Sequence, residues 1–160
     1  PAVFPTYAQW VDRISAYMDS RQDYPELCGY MREANALCRA LCERYESPML
    51  LHGDFHHDNI LLVSDGQYRI IDPKGVVGDP LFDIPRFLLN ECRDECSQAE
   101  NRRRVSALVD ALCARLNLPA KDLRTAFFIE MAMAHCWSVE SNEEPNMEDV
   151  VMAYEIMRAS

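Results

Sequence analysis

Leu50–Asp72 reads LLHGDFHHDNILLVSDGQYRIID, and the fold turns on how that stretch is parsed. A short extended run, Met49–His52, leads into a polar loop holding Asp54, and Asn59 follows five residues later. Two apolar runs come next, Ile60–Val63 and Tyr68–Ile71, separated by Ser64-Asp65-Gly66-Gln67. Asp and Gly both tolerate the positive φ of a tight turn, so this spacing predicts an antiparallel hairpin. Asn59 stands before its first strand and Asp72 after its second, which sends both side chains out at one end of the ladder. A loop carboxylate, an amide and a second carboxylate are thereby gathered in one place.

Upstream, Thr6 is placed to cap a helix whose apolar positions are Tyr7, Trp10, Val11, Ile14, Tyr17 and Met18. A longer helix is expected from about Pro25 to Glu46, with Leu27, Met31, Ala34, Cys38, Leu41 and Tyr45 on one stripe and Ser47-Pro48 as its stop. Downstream, Pro73–Pro80 holds Gly75 and Gly78 without periodicity and reads as a connection of unusual backbone. A helix over Pro80–Asn90, with Pro85 in its first turn, is followed by the capping box Ser97-Gln98-Ala99-Glu100 and a helix striped by Val105, Leu108, Val109, Leu112 and Leu116. Leu123, Phe127, Phe128, Met131 and Trp137 mark another helix, and Pro145-Asn146 opens the last. The expectation is a single α+β domain, mainly helical: two helices over residues 1–47, a catalytic loop and hairpin over 48–79, and a helical region over 80–160.

The 49% hydrophobic and 26% charged fractions suit a globular chain, and no apolar run approaches the ~20 residues a membrane span needs. A net charge of -10 repels nucleic-acid phosphates and favours a cationic small molecule as partner. The one basic run, Arg102-Arg103-Arg104, lies on a helical pattern without aromatics and reads as a solvated face. Seven cysteines, with Cys38/Cys42 and Cys92/Cys96 spaced four apart on helical patterns, read as small core residues in a reducing cytoplasm. The sequence begins at Pro1 with its first methionine at Met18, so a piece of something longer is expected.

Moving a phosphoryl group to a hydroxyl requires hard oxygen ligands for Mg²⁺ and a group that orients the acceptor. Asn59 and Asp72 suit the metal, and Asp54 suits the hydroxyl. The spacing His52-Gly53-Asp54, Asn59, then Asp72 resembles the catalytic lobe of the aminoglycoside phosphotransferase and choline kinase-like superfamily. HGDFHHDNILL with IDPKGVVGDPLFDI is closest to its streptomycin phosphotransferase and hydroxyurea-resistance kinase branch, and Trp137-Ser138-x-Glu140 also fits. The resemblance implies a protein-kinase-like C-terminal lobe using ATP and Mg²⁺, with Asp54 as base and Asn59 and Asp72 on the metal. It implies further that Asp83 braces the loop. His52 reads as a loop-structuring residue, and Lys74 either adds charge near the phosphates or is simply solvated. The family's N-terminal nucleotide lobe, with its phosphate-binding Lys, has no counterpart before Leu50, and no GxxxxGK[ST] occurs. Gly53, where protein kinases often carry Arg, argues against switching by loop phosphorylation.

Other readings stay open. Glu140–Asp149 is either a solvated acidic connection, or some of its carboxylates, Glu140 and Glu144, join Glu130 and Trp137 around a cationic acceptor such as an aminoglycoside. His52 with His57-Asp58 could instead serve a metal-dependent phosphohydrolase, although the strand run after them argues against it. A lobe without its nucleotide half could also be a non-catalytic binding module, and an apolar surface beside Leu50–Asp72 would favour self-association.

Overall fold

In the computed structural model, which describes residues 4–159, Thr6 accepts the Gln9 amide while the Gln9 side chain returns to the Thr6 amide. That capping box opens α1 (Tyr7–Asp19), which buries Tyr7, Val11, Ile14 and Met18. α2 (Pro25–Arg44) starts with proline at a position that needs no amide and stops at Arg44, two residues before the expected end. β1 (Met49–Leu51) follows, then a 3₁₀ turn over His57–Asn59, β2 (Ile60–Leu62) and β3 (Tyr68–Ile70). β2 and β3 pair antiparallel, Ile60 opposite Ile70 and Leu62 opposite Tyr68, and the turn between them holds Asp65 at φ 69° and Gly66 at φ 72°.

The reading of Pro73–Pro80 as a connection without regular structure is corrected. Val76–Gly78 forms β4, antiparallel to β1 with Leu51 opposite Val76, and Val77 bridges in parallel to Thr6. Three residues are too few to show a period, and the partner lies 25 or more positions away in the chain, so local pattern carried no signal. The helix expected over Pro80–Asn90 is divided: a 3₁₀ turn at Pro80–Asp83, then α3 (Ile84–Leu89). Cys92 and Cys96 lie in the turns beyond it and not on a helix, while all seven cysteines are free thiols.

α4 (Gln98–Leu116) opens on the Ser97 and Glu100 capping box. α5 (Ala120–Glu140) packs against α1, α2, α3, α4 and α6 (Met147–Arg158). It is buried around nearly its whole circumference, with Phe127, Phe128, Ile129, Met131, Ala132 and Met133 all inside. A helix apolar on all sides is one surrounded by others, and α5 is the axis of the core. The basic run on α4 is not simply solvated, because Arg102 meets Glu155 of α6 and Arg104 meets Glu91. Among the described residues no helix is long and apolar enough to cross a membrane. The architecture is mostly helical with two small, unclosed sheets.

The β2–β3 ladder stands off this core. Leu61, Leu62, Tyr68 and Ile70 are exposed on it, as are Met49 and Leu50 on β1.

Replacing Ser97 by Ala removes the cap at the start of α4 and lowers stability by about 1 kcal/mol, read as a shifted midpoint in urea denaturation.

Candidate active site

β1 ends at buried Leu51, and the chain then turns through His52, Gly53 and Asp54. The amides of His52 and Gly53 donate to the two carboxylate oxygens of Asp83, Oδ2 and Oδ1, each at 2.8 Å. Both amides therefore face one carboxylate, and Gly53 itself is left-handed, φ 76°. A Cβ there would lie 3.0 Å from Cη2 of Trp10 and 3.2 Å from Cγ1 of Val76, so a larger residue is strained in its backbone and crowded by both side chains.

His52 is the hub of the loop. Its carbonyl accepts the Lys74 amide at 2.9 Å and the Gly75 amide at 3.1 Å, and its Nδ1 accepts the Asp54 amide at 3.2 Å. An accepting Nδ1 leaves the proton on Nε2, which donates to the Ile71 carbonyl at 2.7 Å. The ring therefore joins the loop to the end of β3.

Asp54 is largely buried, its side chain 14% exposed, between two cations. Lys74 Nζ lies 2.9 Å from Oδ2, and Arg86 of α3 donates Nε–H to Oδ1 at 3.0 Å. Burial raises the Asp54 carboxyl, but Lys74 and Arg86 outweigh it and hold it below the ordinary carboxylate value. Asn59 is buried and donates Nδ2–H to the Asp54 carbonyl at 2.9 Å, which fixes the amide and leaves its Oδ1 without a protein donor among the described residues. Its own carbonyl accepts the Ile71 amide at 3.0 Å, so Asn59 sits across the ladder from the residue before Asp72. Asp72 is exposed, pairs with no cation among the described residues, and adopts a left-handed φ of 54°. That conformation is one that Asp and Asn tolerate better than other residues with a side chain.

The structure brings Asp54, Asn59, Lys74 and Asp83 together around His52. The acidic residues expected around an acceptor are placed differently. Glu130 is interior, accepting the Tyr7 hydroxyl at 2.7 Å, with Arg86 Nη1 at 3.6 Å. Burial pushes the Glu130 carboxyl up, against the opposing pull of Arg86 and the Tyr7 hydrogen bond. Glu140 is held by both terminal nitrogens of Arg13 at 2.6 and 2.9 Å, and Glu144 accepts from Tyr24 at 3.4 Å. Trp137 meets Trp10 edge to face, and so supports the ring that closes over Gly53. His57 stacks on Phe87 at 4.3 Å, with Nε2 3.8 Å from a Glu91 oxygen.

Two residues of the site escaped the sequence reading, Arg86 and Tyr7. Arg86 had a signal, being the lone charge in Ile84-Pro85-Arg86-Phe87-Leu88-Leu89; Tyr7, on an apolar stripe, had none. Beside Asp54 lies a cavity of about 310 Å³ lined by His56, Asp58, Arg86, Leu89 and Asn90.

Residues 1–141 match the family described as aminoglycoside/hydroxyurea antibiotic resistance kinase, and the chain belongs to that family. A streptomycin 3''-kinase of Klebsiella pneumoniae is 42% identical over 40 residues, which are 25% of this chain and 15% of that protein. The matched stretch is thus a small part of that relative's length.

Gly53→Ala combines a left-handed backbone with a contact on Trp10 and lowers stability by about 2 kcal/mol, measured by chemical denaturation. A second outcome follows from Glu130, whose carboxyl is raised in the folded protein. Such a group favours the folded state at acid pH and loses that contribution as pH rises through its folded pKa. The parent is therefore expected to lose stability relative to Glu130→Gln as pH rises above the ordinary Glu range, seen in paired denaturation curves from acid to neutral pH.

Proposed function

We propose that this member of the aminoglycoside/hydroxyurea kinase family carries the acceptor-side half of an ATP- and Mg²⁺-dependent phosphotransferase. Its acceptor is a hydroxyl of a small molecule, an aminoglycoside such as streptomycin or hydroxyurea. The observation that carries this reading is the cluster itself, in which Asn59 is bonded both to the Asp54 carbonyl and to the amide of Ile71, the residue preceding Asp72.

Asp54 orients the acceptor. Held between Lys74 and Arg86 it stays ionised and offers only lone pairs, so it can accept a hydroxyl hydrogen and hold the oxygen in line. A carboxylate of depressed pKa is a weak base, which suits a loose transition state in which the proton leaves late. Asn59 Oδ1 and the unpaired Asp72 carboxylate are hard oxygens of the kind Mg²⁺ takes one or two at a time, and the fit is good. The ion, when bound, neutralises charge on the phosphate oxygens. Lys74, 56% exposed on a flexible stem, exchanges its contact with Asp54 for a phosphate oxygen when nucleotide is present. Asp83 acts through the backbone, keeping His52 and Gly53 in place.

We assign the exposed apolar side chains of β1, β2 and β3 to the nucleotide base and to the lobe that covers it. A two-stranded ladder exposed in this way is marginal without a partner. The acceptor enters through the cavity beside Arg86, and the chain's negative charge draws a cationic one toward it.

The phosphohydrolase alternative has less support. His52 is committed to Ile71 and Asp54, His57 stacks on Phe87, and among the described residues no three His, Cys, Asp or Glu side chains could hold a metal ion.

ATP consumption measured against aminoglycosides, hydroxyurea and choline tests the reading. Residues 1–160 alone are expected to turn over little, and a longer chain that covers β2 and β3 to be active. In that longer chain Asp54→Ala should abolish transfer, with unaltered turnover defeating the assignment, and Asp72→Ala should remove the response to Mg²⁺.

A further inference from the structure

We infer that Arg86 is the positioning residue for Asp54, and that Glu130, held by Tyr7, fixes Arg86 in turn. The inference rests on the reading of Asp54 as the group that meets the acceptor.

Arg86 uses two edges of one rigid plane. Nε–H is on Asp54 Oδ1 at 3.0 Å, and Nη1 lies 3.6 Å from Glu130 Oε1. The other oxygen of Glu130 takes the Tyr7 hydroxyl at 2.7 Å, and the Tyr7 ring stacks on Phe82 with centroids 4.4 Å apart. A chain of polar contacts thus runs from α1 through α5 and α3 into the loop. Arg86, in the middle of that chain, is the most exposed of the three charged groups at 25%, against 14% for Asp54 and 4% for Glu130.

The partners of Asp54 are not equivalent. Lys74 is 56% exposed against 25% for Arg86, and His56 Nε2 is no closer than 3.7 Å, so Arg86 is the better-buried of the carboxylate's two close contacts. Lysine could not replace it, because a point charge cannot face two carboxylates along set directions. Arg86 also lines the acceptor cavity, so an Arg86 released from Glu130 is free to swing into the space the acceptor needs.

A buried ion pair seldom adds stability over an apolar replacement of similar volume, whereas removing one partner alone is costly. This separates positioning from support. Arg86→Met or Glu130→Gln alone should raise the unfolding constant by tenfold or more, and the double variant should recover most of that loss. In the active protein containing this chain, the folded double variant should lose kcat by about 100-fold with the acceptor KM changed far less. Arg86→Ala should regain activity when guanidinium is added to the assay, which a merely structural residue would not show. A folded double variant with kcat within a few-fold of the parent, or no rescue, overturns the inference.

A further measurement needs no turnover. In residues 1–160 the Arg86 Nε–H should exchange with solvent more slowly than that of Arg115, which is exposed and has no carboxylate partner among the described residues, and both Asp54→Asn and Glu130→Gln should speed it. Equal exchange throughout overturns the inference. Should Asp54→Ala leave turnover intact while the Arg86 and Glu130 coupling persists, the fault lies with the assignment of Asp54 and not with the relay.

Discussion

Two consecutive amides, those of His52 and Gly53, point away from any strand and must be satisfied by something else. The Asp83 carboxylate takes both, one on each oxygen. An unsatisfied amide in a half-buried loop costs about 1–3 kcal/mol, so this pairing decides where the loop can be. Once it is made, the remaining contacts have little freedom. The His52 carbonyl is aimed at the Lys74 and Gly75 amides, which draws the start of β4 across the end of β1. The imidazole reaches the end of β3, and Asp54 is delivered to Arg86. Gly53 and Trp10 are the steric half of the same constraint, one providing the space and the other filling it.

Charges of opposite sign alternate around Asp54. Two carboxylates, Asp54 and Glu130, are interleaved with two cations, Arg86 and the half-exposed Lys74, while Asp83 and Asp72 add negative charge nearby. Further negative charge lies at positions such as Asp58, whose side chain is 89% exposed at the rim of the cavity. An alternating cluster with an acidic rim can hold one carboxylate in a set orientation while still attracting a cation from outside.

Helix periodicity, the Ser97 cap and the Asp65-Gly66 turn were legible because each is written within a few neighbouring residues. The short spacing of Asp54, Asn59 and Asp72 was legible for the same reason, as three polar residues in and beside one short hairpin. β4 was not, since its reason for being extended is β1 and Thr6, both distant in sequence. Glu130 misled in an instructive way. A charge inside an apolar helix suggests a pocket, yet its compensation is interior, supplied by a tyrosine hydroxyl and a guanidinium from two other helices. Glu140 and Glu144 likewise have partners, Arg13 and Tyr24, that only the packing of α1 and α2 beside α5 supplies.

The hydrogen bond from Tyr7 to Glu130 closes a loop of 123 residues. A nascent chain leaving the ribosome exposes Asp54 long before α5 has been synthesised. During that interval Arg86 has no interior anchor and the core has no axis. The components of the site thus meet late, because contacts between distant parts of a chain form only after the entropy of closing the loop has been overcome. A chain stalled or cleaved before residue 130 would contain every residue of the loop and still lack the interior anchor of Arg86.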